Sequence, residues 1–222
     1  MRASYTLQFA DGTGSNPYAA QNLIASDQPN LRTIYPYTYY QRHQIITALD
    51  YRYGSVSSYN GPRIAGKEIF KNTGLNLVAN FASGMPYSRQ QRITGAALIS
   101  NPVPILDGEP LGSRKPWNFR GDLQIDRNIT LEFGKENSKK KTANLNVYLL
   151  MTNVFNTLNI TNVYRATGNA GDDGYLNAAR FQTSISTQNN EEVFRYYYAM
   201  KANNPYNFGI PIQIRLGVKL DF

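Results

Sequence analysis

Cysteine is absent from the 222 residues, so neither a disulfide framework nor a thiolate metal site can be built. The redox compartment is left open by that absence. Histidine occurs once, as His43, and a zinc site or serine-type triad centred on it would have to recruit every other group from carboxylates and distant hydroxyls. The expectation for His43 is therefore structural, at the rim of a strand. No stretch approaches the roughly 18 consecutive apolar residues of a membrane-spanning helix, and "MRASYTLQF" lacks the apolar centre of a signal peptide. Either the chain is cytoplasmic, or a preceding part that carries an export signal lies outside it.

Leucine and alanine, the usual helix fillers, do not dominate. Tyrosine is unusually frequent, with 17 copies beside 10 Phe and a single Trp, and this mixture with Asn, Gly and Thr favours strands and turns. The formal charge of +8 raises the question of a polyanion partner. Apart from Lys139, Lys140 and Lys141 the basic residues are scattered, and that run falls between two strands, where a solvated turn explains it. A basic balance equally suits a surface facing anionic lipid head groups. No nucleic-acid partner is expected.

Six stretches alternate with period two. In "ASYTLQFA", Tyr5, Leu7 and Phe9 share a face; in "QRHQIITALDYRYG", Ile45, Leu49, Tyr51 and Tyr53 do. "NTGLNLVANFASGMPYSR" sets Leu75, Leu77, Ala79, Phe81, Met85 and Tyr87 against Asn76, Asn80 and Gly84. The most regular is "PWNFRGDLQIDRNITLEF", in which Trp117, Phe119, Leu123, Ile125, Ile129, Leu131 and Phe133 oppose a polar row, with Arg127 the one charge on the apolar side. "ANLNVYLLMTNVFN" and "PIQIRLGVKLDF" complete the set, the last with Ile212, Ile214, Leu216, Val218, Leu220 and Phe222 on one face.

These strands run to about 11 to 17 residues, against a usual mode of about 5 or 6. That length favours the wall of a transmembrane barrel over a sandwich. The connections Asp11 to Tyr40, Gln90 to Lys115 and Thr157 to Gly209 are long, and they alternate with the shorter Ser55 to Lys71 and Gly134 to Thr142. The expected fold is thus all-β: an antiparallel up-and-down transmembrane β-barrel segment, of six long strands with long extracellular loops. On that topology Gly134 to Thr142 is a periplasmic turn, and loops around Tyr37, Ile105 and Tyr175 face outward.

The segments "SYTLQFADGTGSN", "QRHQI", "ASGMPYSR", "RKPWNFRGDLQIDRNI", "LNVYLLMTNVFNTLNITNVYRATGNAGDDGYL" and the terminal "IRLGVKLDF", in that order and over nearly the whole chain, resemble the C-terminal part of TonB-dependent outer-membrane receptors, in particular the Oar-like group of Bacteroidetes. The resemblance implies a plugged barrel of about 22 strands. Six strands are too few to close even the smallest bacterial barrels, of about eight. Residues 1–222 are then the C-terminal part of a wall whose plug domain, coupling box and signal peptide have no counterpart here. Its implied partners are outer-membrane lipid, the receptor's own N-terminal plug, TonB acting through that plug, the barrel-assembly machinery and an imported solute. The place is the bacterial outer membrane, no cofactor is implied, and the wall is not an enzyme. Leu216, Val218, Leu220 and Phe222 match the aromatic-ended signal read by the assembly machinery. The family often carries an acidic residue just before the "QRH" element; Tyr40 stands there instead, so no role of that acid carries over.

Two residue sets are candidates for contact. Arg195, Tyr196, Tyr197 and Tyr198 combine flat area with hydrogen-bond donors and suit a ligand-contact loop, an aromatic girdle or internal loop packing being the alternatives. Arg120, Asp122, Gln124, Asp126, Arg215, Lys219 and Asp221 fall on the wet faces and, on the resemblance, would meet the plug. "GNAGDDGYL" has two adjacent carboxylates but lacks the spaced oxygens of a calcium loop, so a turn is expected. Trp117, Tyr87 and Phe155 read as girdle residues. The alternative function is an outer-membrane adhesion or carbohydrate-binding β-protein.

Overall fold

The computed structural model describes residues 1–16, 25, 33–54, 59, 61–95, 105–134 and 141–221. Among these residues ten strands form in the order β1 (Arg2–Leu7), β2 (Asp11–Gly12), β3 (Tyr35–Pro36), β4 (His43–Arg52), β5 (Thr73–Ala82), β6 (Pro86–Tyr87), β7 (Ser113–Arg114), β8 (Asn118–Phe133), β9 (Lys141–Thr152) and β10 (Gln213–Asp221). Six of them make one sheet in the order β1-β4-β5-β8-β9-β10, every pair antiparallel. Each long strand therefore pairs with the next long strand along the chain, as an up-and-down meander requires. The sheet is open, with β1 and β10 as its edges, and among the described residues no closed barrel forms.

The register keeps the two faces apart across the whole sheet. Tyr51, Leu75, Ile125, Leu149 and Leu216 share one rung of the apolar face, and Asp50, Asn76, Gln124, Leu150 and Arg215 the next rung of the polar one. A slip of one residue in any strand would put its apolar row among charges, so the alternation itself holds the register. Among the described residues no helix or second sheet packs against the apolar face. Leu216 is 75% exposed and Tyr5 59%, whereas an ordinary soluble domain buries the apolar face of its sheet.

The segments 8–42, 83–117 and 153–212 all join strands at the same end of the sheet, and their described parts build a cap there. The short ladders β2–β3 and β6–β7 lie in the first two, and the third holds the helices α1 (Gln182–Ser186) and α2 (Glu191–Ala202). Asn190 caps α2, its side chain accepting from the Val193 amide, with Glu191 and Glu192 in the first turn where the helix dipole favours acids. The only apolar cluster of fully buried residues among the described ones is in this cap: Tyr175, Ile185, Tyr198 and Ala202, with Ile93, Leu176, Phe181 and Phe194 packed against them.

Strand limits differ from the sequence expectation in instructive places. β1 has 6 residues and β4, β5 and β10 have 10, 10 and 9, so only β8 and β9, with 16 and 12, reach the expected length. β5 stops at Ala82 because a Cβ at Gly84 would collide with the Lys115 carbonyl, and the chain leaves the sheet there to form the separate β6–β7 ladder. β9 stops at Thr152 because Asn153 (φ 53°) and Asn156 (φ 48°) turn left-handed, a conformation asparagine tolerates better than most residues. Thr157 to Gly209, expected as loop, contains both helices.

Candidate functional site

The polar face is a network of pairs rather than a row of isolated charges. Arg52 donates from both terminal nitrogens to Asp126, at 2.9 and 3.0 Å, and the Asn146 amide donates to the same carboxylate at 3.3 Å. This two-pronged geometry is the strong form of the carboxylate–guanidinium contact, and it holds Asp126 at 8% exposure. Arg120 donates to Asp122 at 2.9 Å, which also accepts from the Asn153 backbone amide at 2.9 Å. Lys219 and Asp221 pair at 3.1 Å, and Arg215 reaches Gln213 at 3.4 Å. Arg120, Asp122, Gln124, Asp126, Arg215, Lys219 and Asp221 thus lie on one face, as their parity predicts, and most of the charges are already matched within the sheet.

At the capped end this face forms a cavity of about 290 Å³. Its polar lining includes Gln41, Asn80, Asn118 and Arg120, and Met85, Ile160 and Ile210 supply apolar surface. Asn159 frames it: its amide donates to the Phe119 carbonyl and accepts from the Phe119 amide, both at 2.8 Å, so the side chain continues the ladder where β8 begins. Asn153 closes the other side by donating to the Thr157 and Ile210 carbonyls at 3.1 and 3.0 Å. Such a volume, with convergent amides and an apolar wall, is at the lower end of small-molecule sites.

The cap over this cavity is cross-tied. Lys115 donates to the Thr161 carbonyl at 2.6 Å, and burial lowers its pKa from the ordinary lysine value. Tyr164 donates to the Ala202 carbonyl at 2.8 Å; burial first and then the Asp173 charge raise its phenol above the usual range. Tyr40 is 1% exposed, with Arg42 donating to its oxygen at 2.9 Å and the Arg114 guanidinium 4.4 Å from its ring centre, so it locks the first long connection to the second.

The structure divides the four candidate contact residues of α2. Tyr196 and Tyr197 project into solvent, 64% and 65% exposed. Tyr198 faces the other way, buried in the cap and donating to Asp173 at 2.6 Å. Arg195 is held by Glu191, Gln182 and the Leu176 carbonyl, at 2.8, 2.8 and 3.2 Å. The two carboxylates of "GNAGDDGYL" accept from amides two residues on, Asp172 from Gly174 and Asp173 from Tyr175, which makes the segment a pair of side-chain turns. Among the described residues no group of three or more His, Asp or Glu could hold a metal ion.

On the apolar face, aromatic rings run across the capped end of the sheet. His43 stacks on Trp117 at 5.7 Å, Trp117 on Phe81 at 4.7 Å, and Phe119 on Phe155 at 5.1 Å, with Tyr5 at the β1 edge placing its hydroxyl 2.9 Å from His43 Nδ1. His43 therefore sits in an aromatic row. A second group, Tyr51, Tyr53, Tyr59 and Phe70, gathers at the opposite end. Leu216, Val218 and Leu220 line the exposed edge of the same face, and Phe222 lies outside the described residues, as do Lys139 and Lys140.

Sequence reasoning missed Arg52 and Asn146, although both share the parity of the polar row. Asn153 and Asn159 lie beyond the point where the alternation of β9 ends, and parity says nothing of their partners. What the fold and the site define is an open antiparallel meander with one apolar and one polar face, capped at one end by its own long connections. No family model, curated protein or solved structure matches the chain.

Proposed function

We propose that this chain forms part of the wall of an outer-membrane β-barrel of the TonB-dependent receptor kind, with the apolar face toward lipid and the polar face lining the lumen. The observation that carries this is the apolar face itself, continuous across six strands, half-buried in the inner strands and exposed on β1 and β10, and bounded by aromatic groups at both ends. From His43 to Tyr53 the chain advances about 34 Å at about 3.4 Å per residue. A strand tilt of about 40° reduces this to about 26 Å, which matches the band of about 25 Å between the aromatic girdles of such barrels.

On this reading the matched charges of the polar face suit a lumen that must stay soluble and meet a polar plug domain. The cavity at the capped end and the projecting Tyr196 and Tyr197 suit capture of a solute on the outer side. The wall performs no chemistry; transport energy comes from the inner membrane through TonB and the plug. The test uses the absence of native cysteine. Single Ile125→Cys and Gln124→Cys variants, in the receptor that carries this chain, are labelled in intact outer membranes with a membrane-impermeant maleimide. Position 124 should react from the aqueous lumen when the plug is deleted, and position 125 should not; equal reaction at both would sink the assignment. Projecting tyrosines also suit an adhesion or carbohydrate-binding β-protein. A chain that stays monomeric without detergent would favour that second reading.

A further inference from the structure

Arg127 is the one charge of β8 on the apolar side, and nothing in the wall reading so far uses it. It shares a rung with Thr73 and Val147, and the Tyr53 amide donates to the Thr73 carbonyl at 3.0 Å. Arg127 is therefore level with the second aromatic group, at the end of the sheet away from the cap. Beside it, where β8 runs on past the start of β5, a notch of about 530 Å³ opens, lined by Lys71 and Arg127 among others. Among the described residues neither cation has a carboxylate within ion-pair distance. Asn128, Thr130 and Glu132, of the opposite parity, line it too, so the notch runs along the edge of β8 beyond its pairing with β5 rather than on one face.

An unpaired guanidinium on a lipid-facing surface is costly at the bilayer midplane and tolerable near the head groups, where a long side chain reaches out to phosphate. Arg127 follows Phe119 by about 27 Å of strand, or about 21 Å of depth at a tilt of about 40°. Phe119 shares a rung with Ile45, two residues inward of His43, so Arg127 reaches the level of Tyr53 at the second interface, with head groups within its own reach. Arginine offers paired donors to phosphate oxygens, lysine adds a mobile point charge, and tyrosines at this level anchor the surrounding wall. We propose that Lys71 and Arg127 form a phosphate-binding site that holds the head group of one phospholipid of the leaflet opposite the cap. The inference rests on the membrane reading above.

The test is lipid retention by the purified, detergent-solubilised receptor that carries this chain, counted by native mass spectrometry after titration with phosphatidylglycerol, with diacylglycerol, and with inorganic phosphate. Phosphatidylglycerol should bind where diacylglycerol does not, and Lys71→Gln with Arg127→Gln should weaken it about tenfold or more. Arg127→Lys should retain part of the binding, and Lys201→Gln in the cap should change nothing. Unchanged lipid binding in the double variant, or equal binding of diacylglycerol, overturns the site. Displacement by inorganic phosphate with no preference for the lipid overturns the lipid as its occupant. Circular dichroism of the double variant shows whether the barrel is intact. Failure of the membrane reading shows separately, as water access at Ile125→Cys, whatever the lipid count.

Discussion

Asp126 accepts from Arg52 and Asn146 at a position only 8% exposed, so it ties β8 to its neighbours on both sides, through β5 to β4 and directly to β9. Replacing it by Ala leaves the Arg52 fork without its acceptor. The expected cost is about 1.5–3 kcal/mol, the range of hydrogen bonds to charged groups. It reads out as a lower urea midpoint of the receptor in detergent, and Arg52→Ala with Asp126→Ala should cost less than the two single changes added together. Gly84 acts through space instead. Its Cβ would meet the Lys115 and Pro116 carbonyls, which are backbone and cannot swing aside. Gly84→Ala should destabilise by about 1–3 kcal/mol, and limited proteolysis should cut the cap before the sheet.

Among the elements, β8 has the greatest length, 16 residues, and pairs along it with both β5 and β9. Ile125 shares a rung with Tyr51, near the second aromatic group, so a lysine there should cost less than the ~2–4 kcal/mol of the bilayer midplane. One at Gln124, a residue away, would enter the wet face at little cost. Surface abundance of the two variants measures the difference, and equal losses would reverse the assigned faces. In α2 the same contrast runs around a helix. Tyr198→Phe removes the donor to the buried Asp173 carboxylate and should destabilise the cap by about 1–3 kcal/mol. Tyr196→Ser and Tyr197→Ser, on the exposed side, should leave cap stability unchanged, as followed by near-ultraviolet circular dichroism. An equal loss in all three would mean that the outward side is packed too.

For the whole molecule, the consequence of an uncovered sheet is insolubility. Among the described residues the edges β1 and β10 have no neighbouring strand on their outer sides, and large apolar side chains are exposed on β1 and β10, a combination that soluble monomers avoid. Expressed alone in water, the chain should therefore aggregate, whereas detergent should recover β-structure. A monodisperse, cooperatively melting monomer without detergent would contradict the proposed environment.

The alternation of apolar and polar residues was enough by itself to locate the six long strands and to decide which side chains share a face, because a period of two admits only one partition of a strand, while their up-and-down order was legible in the alternating loop lengths. The placement of Arg120, Asp122, Gln124 and Asp126 on one wet face follows from parity alone. Where strands end depended on tertiary contacts: Gly84 leaves the sheet because Lys115 and Pro116 arrive from far along the chain, and β9 stops at Asn153 because its side chain finds the Thr157 and Ile210 carbonyls. The division of "RYYY" was likewise a tertiary matter. A helix sends successive residues about 100° apart, so once the cap core took Tyr198, Tyr196 and Tyr197 had to face solvent. Pairing of Arg52 with Asp126, separated by 74 positions, required β4, β5 and β8 to assemble first. Local pattern governs what a residue's neighbours in sequence can decide, and chain encounters govern the rest.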